Sequence, residues 1–194
     1  MLDDLVIKDA LRYLGAKTEE ESAIALLRKV LDDYRPLLTP RMVTAVFHIK
    51  ELSPAVAFSD CEARFEGESI VRHFKGATQA IFSAFTLGAP LDKKIKELSL
   101  SRPTESVALN AVASAYAERK ADELLKEVRL KKEKEGFTTN FRFCPGYGDL
   151  SLSANAEIAA ALSANKKIGL TVLDSGLLLP SKSIVGVTAC LPVR

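Results

Sequence analysis

Apolar and polar positions recur along this chain with two periods, and the switches between them divide it into elements. A short apolar segment from Leu5 to Leu14 is ended by Gly15. Thr18 then opens a helix by the capping-box pattern, with Glu21 three residues on. Ala23, Ile24, Leu27, Val30, Leu31 and Tyr34 follow at helical spacing, and Pro36 and Pro40 stop the helix. From Met42 to Leu52 the period changes to two. Val43, Ala45, Phe47 and Ile49 alternate with Thr44, Val46, His48 and Lys50, which predicts a half-buried strand. A second strand is expected between Pro54 and Phe65. Ile70, Phe74, Ala77, Ile81, Ala84 and Phe85 then read as an amphipathic helix from Ser69, capped by Gly88.

A short helix is expected around Leu91, Ile95 and Leu98. From Thr104, placed as an N-cap beside Pro103, no Gly or Pro interrupts the chain until about Lys134, so the spacing predicts one long helix with a charged, solvated end. Beyond Gly136 the chain becomes aromatic and rich in Thr, Gly and Pro, reading as a strand that enters an irregular loop. A helix over about Ser153 to Ala164 follows, then strands at Ile168 to Leu173 and Ser183 to Leu191, separated by a turn through Asp174, Ser175 and Gly176. Helices gather early and strands late, with no βαβ alternation, no repeat and no linker. The expectation is a single α+β domain over residues 1–194.

Composition narrows the classes. With 194 residues and 47% hydrophobic positions the chain can bury a substantial core, and 27 basic against 25 acidic residues leave a net charge of only +2. A nucleic-acid track needs a concentrated excess of Lys and Arg, so none is expected. No apolar run approaches the ~18 residues of a membrane span. The acidic start MLDDLVIKD is unlike a secretory signal, which makes the cytoplasm the default location. Cys61, Cys144 and Cys190 are odd in number and far apart, so neither a disulfide framework nor a zinc knuckle is indicated.

Familiar catalytic patterns are missing. No GxGxxG, Walker motif, GxSxG elbow or HExxH occurs. His48 and His73 stand without a second ligand at metal spacing and are expected to be a packed or a surface histidine. Three constellations remain. In Arg142-Phe143-Cys144-Pro145-Gly146-Tyr147-Gly148-Asp149, Arg142 offers a planar fork for a carboxylate and Tyr147 a flat amphipathic ring. Gly146 and Gly148 let backbone approach a ligand, and the plainer alternative is a turn with an Arg salt bridge. Asp122 shares a helix face with Ala111, Ala115 and Leu125, with Glu118 one turn earlier. It is either a buried carboxylate that a cationic ligand would satisfy or an i, i+4 surface mate of Lys126. The third, Leu173 to Ser183, is an apolar turn ending in a small polar cluster, whose simplest meaning is a wide hairpin loop.

Taken together, these segments resemble the activation (reactivation) domain of cobalamin-dependent methionine synthase in its small free-standing form. Arg142, Gly146 and Tyr147 fill that family's Arg-x-x-x-Gly-Tyr signature, and Ile168, Gly169, Ser175, Pro180, Ser183 and Gly186 keep the order of its later motif. The strong part spans Phe141 to Gly186. Glu118-Arg119-Lys120-Ala121-Asp122 is similar to the family's Asp-Arg-x-Ala-Glu, and the RYLG and TLG segments resemble free-standing members.

The resemblance implies a C-shaped α+β domain on a twisted antiparallel sheet that binds S-adenosylmethionine in a shallow groove. By that likeness Arg142 holds the ligand carboxylate and Asp122 its amino group. Backbone around Cys144 and Pro145 meets the adenosyl part, Gly146 permits close approach, Tyr147 faces the methyl group and the corrin, and Ser175 completes the set. The implied partners are a cobalamin-binding methionine synthase chain and a flavodoxin-type electron donor. The implied chemistry is reductive methylation: cob(II)alamin gains an electron, and the cob(I)alamin formed takes the methyl group of S-adenosylmethionine. Such a domain orients reactants and needs no acid, base or metal ligand of its own. This chain departs from the pattern with Asp at 122 and 174 where Glu is usual, with Cys144 at a small-residue position, and with no aromatic-bearing tail after its last strand. The alternatives are a noncatalytic interaction module and an activator that docks on another corrinoid methyltransferase.

Overall fold

The computed structural model describes residues 2–15 and 20–193. Helices α1 (Leu2–Tyr13) and α2 (Glu21–Tyr34) lead, through a 3-10 turn at Arg35–Leu37, into β1 (Arg41–Glu51). Strands β2 (Ala55–Phe58) and β3 (Arg64–Glu66), helix α3 (Glu68–His73) and strand β4 (Gln79–Thr86) follow. Next come α4 (Ala89–Ser101), the 32-residue α5 (Pro103–Lys134), β5 (Phe137–Thr139), α6 (Ala154–Leu162) and α7 (Ala164–Ile168). Strands β6 (Thr171–Val172), β7 (Leu178–Leu179) and β8 (Ser183–Pro192) close the chain. One six-stranded sheet has the order β3-β2-β1-β4-β8-β5, every recorded pair antiparallel, and β6 and β7 form a separate ribbon. The α+β class expected from the sequence is the one observed.

The period-two pattern of β1 sorts its residues as expected. Val43, Ala45, Phe47 and Ile49 meet Phe82, Val185 and Val187 in a core covered by α3, α6 and α7. Met42 and Val46 face the other side, where α1, α2, α4 and α5 pack. Phe82 is at the centre of the first core, its ring 4.5 Å from Phe47, 4.9 Å from Phe58 and 5.5 Å from Phe65.

The predicted helix from Ser69 to Phe85 is not formed. Helix α3 ends at His73, Gly76 takes a left-handed φ of 83°, and Gln79–Thr86 becomes the middle strand β4. Because both faces of β4 are buried, its apolar residues run continuously instead of alternating, and a fully buried strand cannot be told from a helix by spacing. Pro54 to Phe65 likewise divides into β2 and β3, which pair with each other. The N-cap of α5 is Arg102, with Pro103 opening the helix, so Thr104 lies inside it. Left-handed Ser163 splits the expected Ser153–Ala164 helix into α6 and α7. Ile168 belongs to α7, which leaves β6 only Thr171 and Val172. The Thr18 cap lies outside the described residues, and α2 starts at Glu21 with no side-chain cap from Glu20.

Candidate functional site

The chain that leaves β5 runs back along the edge of β8. Phe143 and Val187 exchange backbone hydrogen bonds at 2.7 and 2.9 Å, which fixes the alternation of this segment. Phe143 therefore enters the core beside His73, and Arg142 points to the opposite face, toward α5. That path needs Gly186 on β8, where an added Cβ would stand 2.7 Å from Arg142 Cγ and 3.0 Å from the Phe143 carbonyl oxygen.

Arg142 is buried, and its Nη2 donates to Glu118 Oε2 at 2.5 Å and lies 3.3 Å from Asp122 Oδ1. Burial opposes the charged guanidinium, yet Cys144, Glu118 and Asp122 together hold its pKa above the ordinary arginine value. Glu118 and Asp122 are one turn apart on α5, so a single helix face presents both carboxylates to one cation. Asp122 is exposed, so it is not the buried carboxylate of the first reading, and the cation beside it is Arg142 in place of Lys126.

After Arg142 the chain makes a tight, well-bonded turn. Tyr147 N–H donates to the Cys144 carbonyl, Gly146 N–H to Leu150 and Leu150 N–H to Tyr147, at 2.8 to 3.1 Å. Gly146 has φ 91° and Gly148 φ 54°, and a Cβ on Gly148 would stand 2.5 Å from Ser69 Oγ. Asp149 accepts from the N–H groups of Glu68 and Ser69 at 2.7 and 3.0 Å, tying the turn to the start of α3 and drawing its carboxyl below the usual range. The Cys144 thiol is pushed up by burial, opposed by Arg142, and shares a hydrogen bond with Tyr147. It stays protonated near neutral pH and is no ready nucleophile. Tyr147 is exposed, with its ring 5.8 Å from Phe143, and the neighbouring Cys144 and burial push its phenol up.

Two hollows flank Glu118. One of about 370 Å3 is lined by Asp9, Arg12, Tyr13, Glu118, Arg119 and Asp122. The other, about 230 Å3, is lined by Tyr13, Ser114, Glu118, Lys182, Ser183 and their neighbours. Tyr13 and Glu118 line both, so the two adjoin as a polar groove beside α5, with Arg142 behind Glu118 and lining neither hollow. Asp9 is fixed there by Arg119 Nε at 2.6 Å, a contact that also holds its carboxyl below the usual range. A roomier depression of about 580 Å3 between Pro54 and α3 is lined by Leu52, Pro54 and Val71 with Glu68, Arg72 and Lys75.

Asp122, Arg142, Cys144 and Tyr147 are thus brought together, and Pro145 and Gly146 belong to the same turn. Ser175 stands on the β6–β7 loop, exposed, its hydroxyl 3.5 Å from Leu177 N. That loop joins the turn through Leu152, which packs against both Gly176 and Gly146. Sequence reasoning missed Asp9, Tyr13, Ser114 and Lys182. Asp9 meets Arg119, 110 residues on, and Ser114 meets Lys182, 68 residues on, and no local spacing signals such contacts. His48 is exposed and bonded to Asp60 at 2.7 Å, whereas His73 is packed among Phe74, Phe141 and Phe143. No described helix is long and apolar enough to cross a membrane.

Neither a scan against protein-family models nor a search of curated proteins finds a match. Among solved structures, a crystal structure of the MetH reactivation domain bound to AdoHcy is similar over 94% of this chain and 70% of that one, with a TM-score of 0.69 and 18% identity. This chain has the MetH reactivation domain fold. At 18% identity the shared property is the fold alone.

Proposed function

We propose that this protein binds S-adenosylmethionine along α5 and serves as a reactivation subunit. In this reading it supports reductive methylation of cob(II)alamin carried by a methionine synthase chain, with the electron coming from a flavodoxin-type donor. The observation that carries the reading is Arg142: a buried guanidinium behind Glu118 and Asp122, the two carboxylates that line the groove, on a fold shared with a domain solved with AdoHcy. An amino-acid ligand presents a carboxylate and an ammonium, and this donor set fits both.

Arg142 takes the carboxylate, exchanging it for Glu118, and Asp122 takes the ammonium. The backbone of Cys144 and Pro145 meets the adenosyl part, with the left-handed Gly146 beside it allowing close contact. Tyr147 faces the methyl end, and Ser175 closes the groove from the neighbouring loop. When bound, S-adenosylmethionine supplies a sulfonium methyl group. The protein's residues only fix its position, which is where orientation contributes to rate. Phe141, Tyr147, Leu152 and Leu177 expose apolar surface around the turn, which supports a partner docking there.

Calorimetry of the whole chain with S-adenosylmethionine tests this reading. Binding is expected, and Arg142→Ala should abolish it while the far-UV helical signal persists. A cob(II)alamin methylation assay with a synthase, a reductant and S-adenosylmethionine should be stimulated by this protein. One observation favours a second reading, a docking module that does not use the ligand: Arg142 already holds two carboxylates. That reading predicts partner binding with no heat from S-adenosylmethionine.

A further inference from the structure

A ligand carboxylate that takes Arg142 Nη2, the nitrogen that holds Glu118 and lies near Asp122, displaces Glu118 from it, and the groove contains a place for the released side chain. Lys182, just before β8, donates from Nζ to Ser114 Oγ at 3.0 Å. Among the described residues no carboxylate lies within ion-pair distance of it, since Asp92, the nearest acid in effect, is committed to the Ser181 N–H and hydroxyl at 2.6 and 2.8 Å. Lys182 is half-buried, and burial pulls its ammonium pKa below the usual lysine value. A partly buried ammonium satisfied by a hydroxyl alone is an unfinished electrostatic arrangement.

Glu118 lies one helical turn after Ser114 and lines the same small hollow as Lys182. Side chains on a helix lean toward its N-terminus, over the preceding turn. A Glu118 side chain released from Arg142 therefore falls over Ser114, where the Lys182 ammonium is. We propose that Lys182 is a positioning residue that receives Glu118 when an anionic ligand claims Arg142, so that ligand binding exchanges one ion pair for two.

The inference rests on the proposed ligand reading for its purpose, but one arm of its test needs no ligand. In Arg142→Met, Glu118 has no guanidinium to hold it. The Lys182 ammonium, followed by NMR of its Cε, should titrate higher than in the wild type, and the rise should vanish in Arg142→Met/Glu118→Gln. An unchanged Lys182 titration in folded Arg142→Met overturns the exchange; if that variant unfolds, Arg142→Gln, uncharged but able to hydrogen-bond, replaces it with the same expectation. The second arm measures AdoHcy binding by calorimetry. Lys182→Met should weaken it about tenfold, a coupling of the size neighbouring charges show. Lys182→Arg should restore it, and Lys182→Met should have no effect in a Glu118→Gln background. Equal losses in both backgrounds mean a direct or merely structural role and reject the exchange. No binding by the wild type rejects the ligand reading, and the NMR arm alone then decides the Glu118–Lys182 pairing.

Discussion

Acidification should destabilise this protein through His73 before its carboxylates titrate. The ring is wedged between Phe141 and Phe143, with centroids 4.8 and 4.9 Å away, and has Phe74 at 5.4 Å. Its Nε2 is buried with no hydrogen-bond partner, and burial lowers its pKa to about 4. Below about pH 6.5 the unfolded chain takes up a proton that the native ring refuses until about pH 4. The native state thus loses stability as pH falls through this window, by about 2 kcal/mol between pH 7 and 5 and at most about 3 kcal/mol in all. Urea unfolding at several pH values measures this. His73→Phe isolates it, because a phenyl ring fits the same aromatic nest and Asn140 still donates to the residue-73 carbonyl at 2.8 Å. The variant should be nearly flat over the window. A flat wild type, or a variant that keeps the wild-type slope, would refute the reasoning. The consequence reaches the groove, since Phe143 packs on His73 and immediately follows Arg142.

Other perturbations address the site and its support. Gly186→Ala should displace Arg142 and Phe143 and weaken ligand binding at least about tenfold, because the 3.0 Å clash with a backbone carbonyl has no flexible atom to yield; unchanged calorimetric affinity would contradict that. Asp149→Ala removes the carboxylate that caps α3 and should cost about 1 kcal/mol in chemical unfolding, with greater proteolysis of the Gly146–Leu150 turn. Phe82→Ala, at a fully buried ring between three other rings, should cost about 3–5 kcal/mol in urea unfolding, whereas a loss below about 1 kcal/mol would mean the core is placed wrongly.

What the sequence made legible follows from what each signal measures. Half-buried elements such as β1 carry their own face in their alternation, and α5 announces itself by the absence of Gly and Pro over many turns. The middle strand β4 carries no such contrast, because water touches neither face and nothing selects polar residues at alternate positions. Spacing then matched a helix by accident. The site divides along the same line. Arg142 to Asp149 is contiguous, and its left-handed glycines are local devices, so a motif could expose it, whereas the bonds from Asp149 to Glu68 and Ser69 span about 80 residues and no spacing signals them. Glu118 and Asp122 were visible as one helix face, but their cation was not, because no rule of spacing links α5 to a residue 20 or 24 positions on. The Lys182–Ser114 and Asp9–Arg119 contacts are more remote still, created only when α1 and the start of β8 close on α5 from opposite sides. A groove assembled in this way has its recognition chemistry distributed among elements that are each ordinary alone. Its charges therefore compete for one another before any ligand arrives, and affinity depends on how cheaply those internal pairs exchange as well as on the contacts a ligand makes.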